Sequence, residues 1–543
     1  MTHPTRLAAA LCLCTAALAQ DAGVVPYSDQ HVVAMYVSGD VTDYARAAGM
    51  EYWAYVGRLL DDVRAMGFTV VHPNNLMSED LPRWLDLAEA RGLRLIYQGG
   101  AAQRDYYVWN PNDPVWGEAI TPQERRRLFR SEMLPFYRDV LLPRHRVSRA
   151  LLGYCATEEI MIEDDPTIWE DLRELTEASR RVDPLHPVFV EHLWADQVVR
   201  SLPVQRPEVV LYGPGTIGSG PWNQELDFFE VWLQEVSFAC RQNGTTLYAV
   251  VNSVQEQVEQ DGRWVPRVWE PSTADIALQA WLSYANGAQG VDFWWYHTIE
   301  DNLDGRIIRF RGVEGENGRR TPMWNTMREV TSQLAPLSRH LPKLRVVEDN
   351  GGLPYDREGS WVRMRLLRMP DSGEAYLLAV NKNTSRQEAI GFDLSSILPV
   401  GARATRVPDG AIVDPVTLEV PPGQGVLLRL GRLRGDVGSS RVWAGFGAGG
   451  GGLAHGFGAG GTWRLFPWTQ YNQMNGEVRP ACGDLDGVPG DEDCGSVGGL
   501  PRGYPGRMLP SCGTPSADAA APAAPASSAG RSPSASTCWW PSS

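Results

Sequence analysis

Short apolar runs recur along the first 300 residues, and most show no polar/apolar alternation. They cover residues 31–37 (HVVAMYV), 69–73 (TVVHP), 93–98 (LRLIYQ), 151–156 (LLGYCA), 187–191 (PVFVE), 208–212 (EVVLY), 246–252 (TLYAVVN) and 290–296 (GVDFWWY). Runs of this length, rich in Val, Leu, Tyr and Trp, are what strands buried on both faces look like. Between them the apolar residues fall at helical spacing. Residues 52–66 carry Leu59, Leu60, Val63 and Met66 and stop at Gly67, and residues 81–91 stop at Gly92 in the same way. Further helices are predicted over 123–140, 168–182, 226–242, 274–286 and 328–341, two of them ending near Gly244 and Gly287.

Eight strand-then-helix units over this length predict a (β/α)8 barrel across residues 28–341, since such barrels take about 250 residues plus insertions. The competing architecture is an open doubly wound sheet. It is disfavoured because the count closes at eight and no Gly-rich dinucleotide fingerprint follows the first strand.

After the barrel the pattern changes. Residues 360–368 (SWVRMRLLR), 375–381 (AYLLAVN), 388–393 (EAIGFD) and 425–430 (GVLLRL) are short strands separated by Gly, Pro, Asp and Ser. They predict a small all-β sandwich over 344–431. Residues 432–495 are glycine-clustered and contain Gly483-Asp484-Leu485-Asp486-Gly487. That stretch resembles one unit of an FG-GAP, integrin-like repeat, although Val488 and Pro489 replace the usual Asp-Gly. The resemblance implies a weak Ca²⁺ site at Asp484 and Asp486, because closely spaced oxygens suit a hard cation. No other cofactor and no metal is called for. Residues 496–543 are rich in Pro, Ala and Ser and predict a tail without fixed structure.

Composition narrows the function classes. Net charge is 50 − 65 = −15, which argues against nucleic acid as a partner. Arg6, an apolar stretch over 7–17 and Ala17-Leu18-Ala19 read as a signal peptide over 1–19, which places the protein in the secreted or periplasmic space. That stretch is too short to cross a bilayer, and no later segment predicts a membrane span. Cys155 and Cys240 read as buried small hydrophobes. Oligomeric state is not readable from the sequence.

In a barrel the carboxyl ends of the strands carry the chemistry. Here those ends supply Tyr36; His72 and Asn74; Tyr97 and Gln98; Glu158 and Glu159; Glu191, His192 and Trp194; Tyr212; Asn252, followed by Glu256; and Trp295 and His297. Hydrogen-bonding side chains beside flat aromatic faces suit sugar rings, so Tyr36, His72, Asn74, Tyr97, Gln98, Glu191, His192, Tyr212, Asn252, Trp295 and His297 are candidate substrate contacts. No His spacing typical of zinc sites, no Gly-x-Ser-x-Gly elbow and no phosphate loop occurs.

Gly153-Tyr154-x-x-x-Glu158-Glu159 resembles the fourth-strand motif of clan A glycoside hydrolases, Gly-Tyr-x-x-x-Asn-Glu. Residues 277–296 are similar to the passage into strand eight of beta-galactosidase-like members. The resemblance covers about residues 28–430. It implies that Glu159 is the acid/base, with Glu158 replacing the family's sugar-contacting Asn. The family's nucleophile ends strand seven, where Glu256 offers the nearest carboxylate. One carboxyl must be protonated and the other ionised, and retaining enzymes hold the two about 5–5.5 Å apart. Glu158 and Glu159 are strand neighbours that point to opposite faces, so Glu158 would act by raising the acid's pKa through like charge. Two readings stand. One is a secreted glycoside hydrolase, retaining in mechanism, acting on an oligo- or polysaccharide. The other is a non-catalytic carbohydrate-binding or surface protein on a degenerate glycosidase barrel.

Overall fold

The computed structural model describes residues 27, 30–99, 121–157, 166–213, 222–268, 270–303, 306–347, 361–391, 394, 398–399, 401–413, 417–433, 442–445, 454–458, 461–465, 477–482 and 493–498. Its first strands are β1 (Val32–Ser38), β2 (Val70–Asn74), β3 (Arg94–Gln98), β4 (Leu151–Cys155), β5 (Val188–His192), β6 (Val209–Tyr212) and β7 (Thr246–Asn252). They are followed by β8 (Gln255–Gln260), β9 (Arg263–Val268), β10 (Gly290–Trp294), β11 (Ile299–Leu303) and β12 (Arg306–Arg311). β1 to β7 and β10 form a closed barrel in the order β1-β10-β7-β6-β5-β4-β3-β2. All neighbours pair parallel, and β1 closes the ring by pairing Val32–Met35 with Gly290–Phe293. This is the (β/α)8 barrel expected from the runs.

Strand alternation splits the residues into two sets. Val32, Ala34, Val70, Ile96, Leu152, Cys155, Phe189, Val209, Leu211 and Tyr248 pack together inside the barrel. Val33, Met35, Val71, Leu95, Tyr154, Val190, Val210, Val251 and Phe293 face outward into the layer shared with the helices. With both faces covered, the strands show no alternation in sequence. Gly153 is required at its position: a Cβ there would lie 2.5 Å from the Phe189 ring and from the Pro187 carbonyl oxygen.

The expected helices occur over Tyr52–Ala65, Leu81–Glu89, Pro166–Val182, Trp222–Gln242 and Thr273–Ala285, and over residues 122–145 in α- and π-helical turns. The helix expected over 328–341 starts earlier, at Met323, and ends at Leu334. Two further α-helices, Thr42–Ala47 and Ala195–Gln205, lie outside the expected set; the first is a short six-residue helix, and in the second Pro203 in the last turn masks its short apolar stripe. Two hairpins were also missed. β8–β9 follows β7 and β11–β12 follows β10, and they join as a four-stranded antiparallel sheet, β11-β12-β8-β9.

The chain continues into β13 (Arg345–Val346), β14 (Val362–Met369), β15 (Glu374–Asn381), β16 (Glu388–Gly391), β17 (Ala404–Val407), β18 (Ile412–Val413), β19 (Thr417–Val420) and β20 (Gly425–Gly431). These form a six-stranded sheet, β13-β14-β15-β20-β17-β18, and the pair β16-β19. Ala375, Leu377 and Ala379 of β15 face the sandwich core with Val362, Met364, Leu366, Ile390 and Leu418. The alternate residues Tyr376, Leu378 and Val380 join the core of the barrel and its helices. The sandwich therefore caps the barrel's helical layer. At Gly425 a Cβ would strike the Trp281 ring at 2.4 Å, so only glycine lets β20 approach the Thr273–Ala285 helix.

A second unit begins at Gly438. In it Val442–Gly445, Ala454–Gly458 and Gly461–Leu465 form one antiparallel sheet, and Glu477–Cys482 pairs with Asp493–Gly498. Residues 496–498, assigned to the tail from composition, belong to this pair. The signal segment, Asp484 and Asp486, and the tail beyond residue 498 lie outside the described residues. Among the described residues no helix is long and apolar enough to cross a membrane. Cys155 and Cys240 are buried free thiols.

Barrel and sandwich are joined by a buried ion cluster. Arg363 of β14 donates to Glu230 of the Trp222–Gln242 helix through Nε at 2.7 Å and also through Nη2, and Lys382 Nζ lies 3.5 Å from the same carboxylate. Removing one member of a buried pair costs about 3–5 kcal/mol, whereas an apolar replacement of both is often near neutral. Arg363→Leu should therefore lower the unfolding free energy in urea by roughly 3 kcal/mol, and Glu230→Leu/Arg363→Leu should recover much of that loss. Equal losses in the single and double variants would show that the cluster is not the source.

Candidate functional site

The barrel interior changes character toward the carboxyl ends of its strands. The inward positions of the lower part are apolar. Continuing each strand at period two gives Tyr36 on β1, His72 and Asn74 on β2, Gln98 on β3, Glu191 on β5, Asn252 on β7, and Asp292 and Trp294 on β10. Thr157, just past β4, belongs to the same set, since its Oγ1 accepts the Glu191 N–H at 3.2 Å. Tyr36, His72, Asn74, Gln98, Glu191 and Asp292 are buried. Buried polar groups need partners, and this ring supplies several. Tyr36 Oη donates to Gln98 Oε1 at 2.7 Å. His72 Nδ1 lies 2.6 Å from Asp292 Oδ2, the imidazole being 0% and the carboxylate 1% exposed. Asp292 escaped the sequence reading. Its position two residues before Trp294 in an otherwise apolar strand was the available signal.

The same alternation removes three sequence candidates from the mouth. Tyr97 and Tyr212 point outward into the helical core. Burial pushes both phenols up, and the Tyr212 hydroxyl also feels Glu235 and Asp196. His192 points outward too, with Nε2 3.3 Å from Gln205 Oε1 and 3.4 Å from Ser201 Oγ, both on the Ala195–Gln205 helix. Each is the strand neighbour of an inward residue, or continues a strand whose inward positions are fixed by Val209 and Leu211. Its side chain therefore cannot reach the lumen.

His297 is also drawn back from the mouth. Its ring stacks on Tyr44 with centroids 4.0 Å apart, and Nδ1 lies 3.4 Å from Tyr55 Oη. Tyr55 donates its own proton to Glu314 Oε1 at 2.9 Å, so its oxygen is left to accept from His297. Burial lowers the His297 pKa to about 3, with a smaller contribution from Arg58, and keeps the ring neutral. His297 therefore acts as a wall behind Trp295, whose ring it meets edge-on at 5.9 Å. Trp295, 5% exposed, packs with Tyr36, Val254, Ile308 and Phe310. The Trp294–Trp295 peptide is cis.

The β7 end departs from the expected pattern. Asn252 Oδ1 accepts the Val254 N–H at 3.0 Å and so launches the β8–β9 hairpin. Glu256 stands on β8, opposite Phe310 of β12. Directly opposed residues of an antiparallel pair share a face. Phe310 meets Trp294 edge-on at 5.0 Å and packs with Trp295, so Glu256 is on the sheet face turned to the barrel tryptophans. Gln255 is on the other face, where it accepts from Gln257 and Arg311. Glu158 and Glu159 lie outside the described residues.

No family model matches the chain, and no curated protein does. Among solved structures, the β-D-glucuronidase of Dictyoglomus thermophilum is 14% identical with a TM-score of 0.42, covering 56% of this chain; the chain spans 51% of that enzyme's length. The α-amylase of Geobacillus thermoleovorans, complexed with acarbose, is 12% identical with a TM-score of 0.46, covering 76% of this chain and 100% of that one. The β-galactosidase of the psychrophilic Marinomonas ef1 is 10% identical with a TM-score of 0.39, covering 58% and 62%. Likeness at this level carries nothing about chemistry, and the barrel assignment rests on the strand pairing above.

The outward placement of His192 has a measurable consequence. Burial lowers its pKa to about 4, whereas the unfolded chain takes up the proton near pH 6.5. Between these values the unfolded state binds more protons, so stability falls as pH drops from 6.5 toward 4. His192→Gln should remove this part of the acid limb. In urea titrations the loss between pH 7 and pH 5 should be smaller than wild type by roughly 2 kcal/mol. An unchanged acid limb would place the titration elsewhere.

Proposed function

We propose that the chain is a glycoside hydrolase whose site is the barrel mouth. The observation that carries this reading is the inward set Tyr36, His72, Asn74, Gln98 and Glu191, which joins Trp294 and Trp295 above an apolar barrel floor. Polar groups of both senses beside an aromatic plate suit a pyranose ring. Glu159, two residues past Thr157, is the acid/base in this reading. Glu256 is the nucleophile, supported by its place on the hairpin face turned to Trp294. Glu191, 5% exposed, is the further carboxylate of the mouth. The mechanism is double displacement. Glu159 protonates the leaving oxygen as Glu256 attacks the anomeric carbon, and Glu159 then deprotonates the water that releases the sugar. The substrate is an oligo- or polysaccharide outside the cytoplasm.

A second reading has its own support. β7 ends on Asn252, whose side-chain oxygen already caps a backbone N–H, so the strand end itself offers no carboxylate. A non-catalytic sugar binder would look like this.

Leaving-group dependence separates the two. General acid catalysis is worth about 10²–10⁴-fold, so Glu159→Gln should lose that much on a glycoside with an alkyl leaving group and far less on a dinitrophenyl glycoside. Glu256→Gln should slow both. If Glu191→Gln does so while Glu256→Gln does not, the nucleophile is Glu191. Sugar binding without turnover by the wild-type protein, across aryl glycosides of the common hexoses and pentoses, selects the binder.

A further inference from the structure

A partly open cavity of about 260 Å³ lies at the amino end of the barrel, opposite the mouth. Its walls are the start of β7, the turn at Gly287–Gln289 ahead of β10, the last turns of the Trp222–Gln242 helix, and β13. Among the described residues no carboxylate lines it, whereas Arg241 and Arg345 both do. Cys240 adds no negative charge, since burial pushes its thiol up to about 12. Arg345 is the group left short of partners. Its Nη1 donates to the carbonyls of Pro342 and Leu344 at 2.9 and 3.1 Å, while Nε and Nη2 make no hydrogen bond and no described carboxylate stands within ion-pair distance. Burial lowers its pKa below the ordinary arginine value, against the pull of Asp371, Tyr248 and Tyr27. Two further donors are unspent at the same cavity. Ser237, 2% exposed, accepts from Arg241 Nη1 at 2.6 Å, and its own proton has no acceptor among the described residues. The half-buried Gln289 amide makes no side-chain hydrogen bond. Gly287 keeps the space open: a Cβ there would lie 2.6 Å from Ser237 Oγ and 3.5 Å from Arg241 Nη1. The Trp222–Gln242 and Thr273–Ala285 helices both end here, and each carries about half a negative charge at its carboxyl end. Two guanidiniums exceed that sum, so the described lining is net positive.

We infer that this cavity is a binding site for a small tetrahedral oxyanion, either free phosphate or sulfate or the phosphate of a monoester, held by the Nε and Nη2 edge of Arg345, the Ser237 hydroxyl and the Gln289 amide. A guanidinium edge offers two parallel N–H donors that match two oxygens of one oxyanion. The hydroxyl and the amide add neutral donors, and an oxyanion is a ligand that accepts from all of them. Because Ser237 stands on a barrel helix and Arg345 on the first strand of the sandwich, a bound anion ties the two together. The inference stands apart from the barrel-mouth reading, since the site is at the other end of the strands and takes no part in the reaction proposed there.

The test uses the full chain at a constant ionic strength set with chloride. Calorimetric titration with inorganic phosphate, sulfate and glycerol 3-phosphate should show a single saturable site per chain, and the thermal midpoint should rise with the logarithm of the anion's concentration. Tighter binding of glycerol 3-phosphate than of inorganic phosphate identifies a monoester site; the reverse order identifies a free-ion site. Arg345→Met should weaken binding by about 10-fold or more, the worth of a charge-assisted hydrogen bond, and Arg345→Lys should restore part of it. Gln289→Glu places the protein's own carboxylate in the cavity and should abolish both the binding and the anion dependence of the thermal midpoint, so it carries the test if Arg345→Met fails to fold. Arg46→Met, at an exposed arginine paired to Asp43, should bind as the wild type does. A thermal midpoint that follows ionic strength alone with no saturable heat overturns the inference. So does unchanged binding in Gln289→Glu, or a loss in Arg46→Met as large as in Arg345→Met, which would mark diffuse charge instead of a site.

Discussion

The pairing of β1 with β10 is the interaction on which the rest depends. Val32–Met35 against Gly290–Phe293 turns an open series of parallel strands into a ring. Once the ring closes, an inward side chain meets other inward side chains on every side, and the strand ends become the place where polar ones are tolerated. The closure also brings β2 and β10 to either side of β1. The registers Tyr36↔His72 and Ala34↔Asp292 then put His72 and Asp292, 220 residues apart in the chain, within one hydrogen bond. Without that pairing β1 and β10 would be opposite edges of an open sheet, and neither polar group would have its partner.

Much of this was legible in the sequence, because strands buried on both faces announce themselves as unbroken apolar runs. All eight runs are barrel strands, with ends displaced by no more than two residues. The candidate site was legible only in part. Naming strand-end residues without applying the period of two placed Tyr97 beside Gln98 and His192 beside Glu191 in one site, although adjacent residues cannot both face the lumen. The β8–β9 hairpin is also signalled in the sequence. Asp261-Gly262 separates two six-residue strands, and both residues have positive φ, 52° and 71°, as a type I′ turn requires. What could not be read was the reach of Glu256, because a residue past the end of a strand is placed by the hairpin's pairing and not by the barrel.

That hairpin sheet changes what the mouth can do. In a bare barrel, loops would carry whatever follows β7 and β10. Here β8 pairs with β12 across the two connections, so the segments after β7 and β10 are joined in one sheet. Its inner face gives Ile308 and Phe310 to the tryptophans, and its outer face carries Arg309, which is paired to Glu300 and stacked over Trp264 at 4.0 Å. Apolar contacts on one side and solvated ion pairs on the other fix which face turns to the barrel, since a one-residue slip would bury the arginines.

The same concern for rigidity explains the polar cluster behind Trp295. In the proposed glycosidase the Trp295 ring would stack on the sugar, which needs a fixed orientation that apolar packing alone specifies weakly. Tyr296 donates to Asp62 Oδ2 at 3.1 Å, and Arg320 closes on that carboxylate. One step along, Glu314 accepts from Tyr55 at 2.9 Å and from Arg58 at 2.7 Å. Burial pushes the Glu314 carboxyl up, while Arg58 and Tyr55 oppose the rise. Each carboxylate thus has both an arginine and a tyrosine, the arrangement that makes burying a charge tolerable. Directional bonds to residues 296 and 314 hold the backbone on either side of the β11–β12 excursion. The plate, its supporting hairpin and the floor beneath it are therefore referred to one frame, set by the Tyr52–Ala65 helix that carries Tyr55, Arg58 and Asp62.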